Sequence, residues 1–283
     1  MPFHSFVIAA FCALLLAGGI GAALYLWQRK RPLPHIRRRT RPRYPVVLAH
    51  GVMGFDEIKI GGENHHYFRG VTDRLKKEGC VVHRPRVAKS ASIASRAEQL
   101  AAFVRKIPAA KVNIIAHSMG GLDARWAISR LGLGSKVSSL ITLGTPHRGT
   151  PLADLGSGWA SRLKIVSAFD LVGVDVTAFS DLTTAGMASF NKAVPDSPAV
   201  DYISVVAKTN RRSGLNPLLW ASQAWLSEKS GPNDGVVPAA SQKWGKILRT
   251  IQTDHWGMIG WSKQFDAAAL YVELLKELRR RGH

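Results

Sequence analysis

The sequence has few cysteines and no internal repeats. Its two cysteines, Cys12 and Cys80, lie in separate apolar runs of the 283-residue chain. Two cysteines so far apart exclude the disulfide framework on which small secreted domains depend. This scarcity is consistent with a reducing compartment. With hydrophobic content of 46% and charged content of 20%, the chain also has the composition of a globular protein rather than a disordered one.

Acidic residues are scarce as well. Only 19 Asp and Glu accompany 39 Lys and Arg, which gives a formal net charge of +20. Such a balance favours an anionic partner: nucleic acid, a membrane surface or an acidic substrate. Residues 29–43 hold eight basic residues and no acid, and removing them leaves 31 basic residues against 19 acidic ones. The basic excess is therefore concentrated near the N-terminus but not confined to it.

A run of 22 residues without any charge, Phe6–Trp27, precedes the basic segment. About 20 apolar residues span a bilayer core as a helix, and Tyr25 and Trp27 suit its interface. The run therefore predicts a single transmembrane anchor within residues 1–28. A buried core helix and a signal peptide cleaved near Gly21–Ala23 are the alternatives, although only His4 supplies a positive n-region.

The basic segment from Arg29 to Arg43 is expected to stay on the cytoplasmic side of a membrane and to attract anionic lipid. Its prolines favour an extended tether over residues 29–44. The alternative is a solvated linker whose arginines only set topology. No recognition motif for nucleic acid accompanies the segment, so we expect no nucleic acid partner. If residues 6–27 are instead a signal peptide, the protein is exported or periplasmic.

Residues 45–283 alternate apolar runs with segments of helical periodicity. The predicted strands are Pro45–His50, Cys80–His83, Lys111–His117, Lys136–Leu143, Asp201–Lys208 and Lys246–Gln252. The predicted helices are Tyr67–Glu78, Ser95–Ile107, Met119–Leu131 and Gln264–Arg280. Alternation of this kind predicts one α/β domain, with a mostly parallel central sheet flanked by helices.

Two insertions, near residues 150–198 and 210–233, interrupt the alternation. Insertions at the carboxyl side of a parallel sheet tend to cover the active site, as a lid or cap. Large apolar residues between Leu215 and Leu226 have a spacing that suits an amphipathic lid helix. Ordinary core packing explains the same spacing equally well.

The segment Ala116–Gly121 (AHSMGG) follows an apolar strand and opens a helix, which is the context of the nucleophile elbow of α/β-hydrolases. There the serine, Ser118 in this chain, sits on a sharp turn with its hydroxyl above the sheet. The residues two before and two after it must be small, and Ala116 and Gly120 meet that requirement. A serine nucleophile needs a histidine base that is oriented by an acid.

Three histidines follow Ser118. His147 comes too soon after the fourth strand, and His283 is the terminal residue, which we expect to fray. His255 follows the last strand, so it is the predicted base. The predicted acid is Asp234, which lies between the last two strands in a turn sequence, Asn233–Pro238; Asp201 and Asp254 are rivals.

The oxyanion of an ester hydrolysis needs two backbone N–H donors. Met119 follows the nucleophile directly and is predicted to supply one. Val52, in the loop after the first strand, is predicted to supply the other. The tandem histidines His65 and His66 lack a cluster of ligands at suitable spacing, so no metal and no cofactor are predicted.

Four segments together resemble the bacterial true lipases, the triacylglycerol lipases of the Pseudomonas and Burkholderia type. They are Pro45–Asp56, Lys111–Gly121, Leu143–Thr150 and Asn233–Val237. The resemblance extends from about Pro45 to about Gly260, and its motifs occur in the family's order. It implies the α/β-hydrolase fold, hydrolysis of lipid-like esters through an acyl-enzyme, a mobile lid, the triad Ser118, Asp234 and His255, and oxyanion donors at Val52 and Met119.

The chain departs from that family at several points. The family is usually secreted, many members have a disulfide near the acid, and many bind calcium through an aspartate two positions after the catalytic histidine. That position is Gly257 here, so we expect no calcium. The expected function is a serine carboxylester hydrolase acting on a lipid or other ester. An acyltransferase or thioesterase with the same triad is the main alternative, and an inactive membrane adaptor is a further one.

Overall fold

The computed structural model describes residues 40–52, 57–60, 63–89, 91–155, 180–210 and 215–283. The predicted transmembrane segment, residues 6–27, lies outside the described residues, and so do positions 29–39 of the tether. In the described ranges no helix is both long enough and apolar enough to cross a membrane.

A six-stranded parallel sheet forms the centre of the domain. Its strands are β1 (Val46–Ala49), β4 (Val82–His83), β5 (Val112–His117), β6 (Val137–Leu143), β7 (Asp201–Lys208) and β8 (Lys246–Gln252). They run in the order β4-β1-β5-β6-β7-β8, and every pairing is parallel. The prediction of six strands in a parallel sheet is confirmed. An antiparallel hairpin of β2 (Glu57–Ile60) and β3 (Glu63–His66) was not predicted.

Seven α-helices occur in the described part of the chain. They are α1 (Val71–Lys77), α2 (Ile93–Arg105), α3 (Gly120–Arg130), α4 (Pro151–Leu155), α5 (Thr184–Ala193), α6 (Trp220–Ser230) and α7 (Ala267–Arg280). The prediction of flanking helices is confirmed. The short helix α4 and the helix α5 were not predicted, because both lie in an insertion with no clear apolar period.

Two apolar cores lie on opposite faces of the sheet. The first includes Leu75 of α1 and Leu274 of α7. The second includes Leu100 of α2 and Ala127 of α3. Because both faces are covered, β5 and β6 are buried along their whole length, as expected of parallel strands between helix layers.

Helix α1 begins four residues later than the periodicity of the sequence predicts. Gly70 precedes it with φ of 70°, a left-handed conformation that interrupts any helix at this point. Tyr67 and Phe68 therefore belong to the loop after β3 and are buried there. This shift brings the Tyr67 side chain into contact with the nucleophile loop.

The second insertion supplies α6, preceded by a short 3₁₀ turn at Pro217–Leu219. Leu219 and Leu226 are buried, whereas Leu218 is 36% exposed and Trp220 44% exposed. The helix thus packs one side onto the domain and leaves apolar groups at the surface.

The prediction that His283 frays is wrong. Its carbonyl accepts a hydrogen bond from Arg43 N at 2.6 Å, and its ring Nδ1 lies 2.8 Å from Ser138 Oγ. The neighbouring Arg281 donates to Asp201 Oδ2 at 2.7 Å. The C-terminus is therefore fixed at the edge where the parallel strands begin, which we call the amino edge.

Candidate active site

Ser118 occupies a strained turn between β5 and α3. Its φ is 56°, and within the described residues no other non-glycine residue has a positive φ. The turn is held from both sides: Ser118 N donates to Leu143 O at 2.9 Å, and Thr145 Oγ1 donates to Ser118 O at 2.8 Å. A left-handed serine costs about 1–3 kcal/mol and is typically found at functional sites, where surrounding contacts maintain it.

The close packing around Gly120, two residues after Ser118, leaves no room for a side chain. A Cβ at Gly120 would lie 2.6 Å from His50 O and 2.7 Å from Ala49 O, so a larger residue would collide with the end of β1. Gly51 is equally constrained, since its Cβ would lie 2.6 Å from Ser118 Cβ. Close approach of the two loops brings the predicted oxyanion loop directly against the serine.

His255 and Asp234 form a buried pair. His255 Nδ1 lies 2.8 Å from Asp234 Oδ2, and Asp234 is fully buried. Asp234 Oδ1 accepts hydrogen bonds from Val236 N at 2.9 Å and Val237 N at 2.7 Å. With a carboxylate as its acceptor, His255 Nδ1 carries the proton, so Nε2 retains the lone pair that a general base needs.

The two rival acids have other partners. Asp201 accepts from Arg281 at the amino edge. Asp254 Oδ2 accepts from Asn216 N at 2.8 Å, and its Oδ1 accepts from Gly257 N at 2.6 Å. Of the three candidate acids, the structure pairs Asp234 with His255.

Gly144 brings the end of β6 against this pair. It has φ of 59°, and a Cβ on it would lie 3.1 Å from both Asp234 Oδ2 and His255 Nδ1. A side chain at this position would therefore press on the bond that orients the histidine.

Of the two predicted oxyanion donors, Met119 follows Ser118 in the sequence, and Val52 belongs to the loop that lies against it. Met119 is the N-cap residue of α3, and the first N–H groups of a helix have no partner within the helix. Val52 follows Gly51 and packs against the apolar cluster that contains Met119. Within the described ranges, neither N–H donates to a protein acceptor.

Arg96, which the sequence analysis did not single out, fixes the loop that carries Val52. Its Nη2 donates to His50 O at 2.8 Å and to Gly51 O at 3.3 Å. Carbonyl and N–H point in opposite directions across a trans peptide. Holding Gly51 O on Arg96 therefore turns Val52 N–H away from Arg96.

A buried ion pair positions Arg96 itself. Arg96 Nη2 lies 2.7 Å from Asp123 Oδ2, and both side chains are at most 1% exposed. Burial raises the pKa of Asp123 to about 6, although the Arg96 charge opposes the shift. Asp123 Oδ1 has no hydrogen-bond partner in the described part of the chain, which is consistent with that pKa. The signal in the sequence is an arginine one helical turn before Leu100, on the buried face of α2.

A second unpredicted contact joins Tyr67 and His117. His117 Nε2 lies 2.9 Å from His255 O, and its Nδ1 lies 2.7 Å from the Tyr67 hydroxyl. A carbonyl only accepts, so His117 Nε2 donates to it and Nδ1 accepts from Tyr67. The Tyr67 oxygen then accepts from Gly51 N at 3.2 Å.

These bonds form a continuous chain from the oxyanion loop to the backbone of His255. Complete burial lowers the pKa of His117 well below its ordinary value and raises that of Tyr67, so both groups are neutral as the bonds require. The His117 and His255 rings also contact each other, with centroids 4.5 Å apart.

His147 is a buried structural residue, as its early position in the sequence suggests. Its ring stacks on Trp244 with centroids 5.3 Å apart, and its Nε2 lies 3.1 Å from Thr142 Oγ1. Burial and the neighbouring Arg125 and Arg148 lower its pKa well below the ordinary value. It does not contact the His255–Asp234 pair.

The calcium-binding position of the resembling family does not suit an acid here. A Cβ at Gly257 would collide with Thr253 Oγ1 and lie 3.3 Å from Asp254 Oδ1. Both Asp254 oxygens already accept backbone N–H groups. Among the residues that the structure describes, no group of three or more His, Cys, Asp or Glu side chains is arranged to hold a metal.

Comparisons with known proteins identify the enzymes to which this chain is similar. A family profile described as palmitoyl protein thioesterase matches residues 45–169. Triacylglycerol lipase 2 of Saccharomyces cerevisiae is 28% identical, over 85% of this chain and 93% of its own. A triacylglycerol lipase of Pseudomonas fragi is 27% identical, over 85% of this chain and 97% of its own. The predicted resemblance to the triacylglycerol lipases is confirmed.

Solved structures extend the comparison to the fold. The mature lipase BlEst2 of Bacillus licheniformis superposes with a TM-score of 0.65 at 25% identity, covering 88% of this chain and 96% of that one. A metagenomic carboxyl esterase has a TM-score of 0.72 at 17% identity, covering 96% and 91%. The fold is thus that of the α/β-hydrolases, and the chain is a carboxylic ester hydrolase similar to the triacylglycerol lipases.

Proposed function

We propose that the protein hydrolyses carboxylic esters of lipid-like molecules, with Ser118 as nucleophile, His255 as base and Asp234 as the acid that orients it. Ser118 Oγ attacks the acyl carbonyl while His255 Nε2 takes its proton. The negative charge that develops on the carbonyl oxygen is stabilised by the N–H groups of Val52 and Met119.

His255 also transfers the protons in the remaining steps of the cycle. The tetrahedral intermediate collapses as His255 gives its proton to the leaving alcohol, and an acyl ester on Ser118 remains. Water then attacks that ester, His255 takes the water proton, and the acid departs as Ser118 regains its hydrogen. Throughout, Asp234 holds His255 in the tautomer with a free Nε2 and stabilises its protonated form.

The observation that carries the proposal is the combination of a strained, left-handed Ser118 with the buried His255–Asp234 bond of 2.8 Å. We would test it on the full chain with p-nitrophenyl butyrate and p-nitrophenyl palmitate beside the Ser118→Ala variant. We expect hydrolysis by the wild type and near-background rates in the variant. Equal rates in a folded Ser118→Ala protein would disprove the role of Ser118.

Thioester hydrolysis is a second candidate, supported by the thioesterase profile over residues 45–169. The same triad cleaves either bond, because the intermediate on Ser118 is an acyl ester in both cases. The kcat/KM for a palmitoyl thioester and for the matching oxygen ester would separate the two. A higher value for the thioester, after correction for its greater intrinsic reactivity, would favour the second candidate.

We also propose that residues 6–27 anchor the chain in a membrane, with Arg29–Arg43 against anionic lipid and the catalytic domain on the cytoplasmic side. The length of the uncharged run and the basic residues that follow it support this. Protease protection in right-side-out and inverted vesicles would test the orientation. A mature N-terminus near Ala23 would instead indicate a cleaved signal peptide.

A further inference from the structure

The basic residues of the folded domain are concentrated at its amino edge. Helices that connect parallel strands run back along the sheet, so their last turns lie where the strands begin. Each of α1, α2, α3 and α7 carries a basic residue in its last turn. Ten exposed Lys and Arg belong to the segments at this edge: Arg41, Arg43, Lys76, Lys77, Arg105, Lys106, Arg130, Lys246, Arg279 and Arg280.

Acidic residues at the amino edge neutralise part of this charge, since Glu277 in the last turn of α7 pairs with Arg280 and Arg281. Glu78 is buried and accepts from Arg74 and Thr40. Asp201 is half-buried and pairs with Arg281. Asp196 is exposed but accepts from Trp244 Nε1 at 2.9 Å. The ten exposed basic residues outnumber these acidic ones, so the surface carries a net positive charge.

The chain enters the domain at the same edge. Arg41 O accepts from Arg279 Nη1 at 3.2 Å, and Arg43 N donates to the carbonyl of His283. These contacts fix the end of the tether among the last turns of the helices. The six basic residues of positions 29–39 and the uncharged run of residues 6–27 precede it in the sequence.

Two exposed apolar residues accompany the charge. Val81, just before β4, is 47% exposed, and Ile247, at the start of β8, is 45% exposed. Basic side chains around exposed aliphatic groups match a bilayer surface, where headgroups are anionic and apolar groups can enter the interface. Nucleic acid recognition would instead call for exposed aromatic or base-reading groups.

We propose that the amino edge of the catalytic domain docks on an anionic phospholipid bilayer, the one into which residues 6–27 would insert. Ser118 lies beyond the carboxyl end of β5, a strand of six residues, so about 20 Å of sheet separates it from the amino edge. Docking therefore leaves the active site facing the aqueous side. The inference does not depend on which ester is cleaved.

The test uses the full chain reconstituted in vesicles of phosphatidylcholine, with or without about one third phosphatidylglycerol. A donor dye is attached at Ala110→Cys, on an exposed residue of the amino edge, or at Gln264→Cys near the opposite edge, both in a Cys12→Ser background. Cys80 is buried and its pKa is raised to about 12, so it does not compete for the label. Energy transfer to a headgroup-labelled lipid reports proximity.

We expect strong transfer from the Ala110→Cys label only in anionic vesicles, and weak transfer from the Gln264→Cys label in both. Replacing Lys76, Lys77 and Lys106 together by Glu should lower the first signal to its level in pure phosphatidylcholine. Replacing Lys89, Lys229 and Lys263 together by Glu changes the net charge by the same amount away from the amino edge. This matched triple should leave the signal unchanged. Raising the salt to about 0.5 M should also lower the signal from the Ala110→Cys label, because salt screens the attraction between the charges.

Transfer that is independent of lipid charge and of the first triple would overturn the proposal. So would a larger signal from Gln264→Cys, or RNA binding abolished by the first triple without any dependence on lipid. Ester hydrolysis is measured in the same samples. Charge-dependent docking without hydrolysis would refute only the proposed function, and hydrolysis without docking would refute only this inference.

Discussion

The guanidinium of Arg96 binds two consecutive carbonyls of the oxyanion loop and the Asp123 carboxylate at once. Lysine keeps the charge but cannot reproduce the planar fork. We expect Arg96→Lys to lower kcat by about 10²–10³, the typical effect of losing one oxyanion donor. Steady-state kinetics would show it as a fall in kcat with little change in KM.

A matched control for Arg96→Lys is Arg105→Lys, on the exposed end of the same helix. Because Arg105 does not contact the oxyanion loop, that variant should keep wild-type kcat. If Arg96→Lys also kept wild-type kcat, the orientation of Val52 N–H would not depend on the arginine.

Tyr67 supports the same loop from its other side. Tyr67→Phe leaves Gly51 N–H and His117 Nδ1 without a partner, while the ring still fills its site. We expect kcat to fall by about 10-fold or more, since small displacements of catalytic groups are costly. The Tyr271→Phe variant is a suitable control, because the buried Tyr271 hydroxyl has no partner within the described residues.

The activity of His117 variants should depend on which ring nitrogen the replacement side chain can mimic. Glutamine can place its amide NH₂ near the position of Nε2 and so donate to His255 O, whereas asparagine is too short to reach it. We expect His117→Gln to retain more activity than His117→Asn. The reverse order in kcat would contradict the bond to His255 O as the contact that matters.

At the scale of elements, Asp254 ties two segments together. Its two oxygens accept hydrogen bonds from the N–H groups of Asn216, at the start of the segment leading into α6, and of Gly257, two residues after His255. Asp254→Asn keeps only one acceptor oxygen. We expect faster amide hydrogen exchange at Asn216 or Gly257, measured by exchange mass spectrometry, and unchanged exchange in β5.

The elements with strong periodicity were predicted well from the sequence, and those controlled by single residues were not. Strands β5, β6 and β7 are rich in apolar, β-branched residues, so both their type and their position followed from the sequence. The start of α1 did not, because a left-handed Gly70 overrides the periodicity around it. Helix α5 escaped prediction because only Met187 and Phe190 of it are buried.

The site shows the same division. Ser118, His255 and Asp234 could be chosen because chain order and the strand–turn–helix context restrict them. Arg96 contacts Gly51, which is 45 positions away in the sequence, and Tyr67 contacts His117, which is 50 positions away. Only the packing of the helix and loop against the sheet brings such partners together, so no local pattern identified their roles.

At the scale of the whole molecule, the buried Asp123 predicts a pH dependence of stability. Its pKa is about 6 in the folded state against 3.8 in its ordinary state, so between these values the folded state binds more protons. Preferential protonation of Asp123 therefore stabilises the folded state at low pH. This stabilisation is lost as the pH rises through that range. The Asp123→Asn variant cannot titrate there.

We accordingly expect the stability of wild type relative to Asp123→Asn to increase, by on the order of 1–3 kcal/mol, between pH 7 and about pH 4.5. Urea unfolding of both proteins at the two pH values would measure it. A difference that stays constant, or that decreases toward low pH, would show that Asp123 is not protonated preferentially in the folded state.

The bond of 2.6 Å between Arg43 N and the carbonyl of His283 places the two ends of the folded domain side by side. A chain whose ends adjoin can be circularly permuted, with a short linker joining 283 to 43 and new ends opened in an exposed loop. The exposed residues around Lys263 lie in such a loop, near the opposite edge of the sheet from the amino edge. An anchor fused to new ends there would invert the enzyme on its membrane, so that the mouth of the active site faced the lipid.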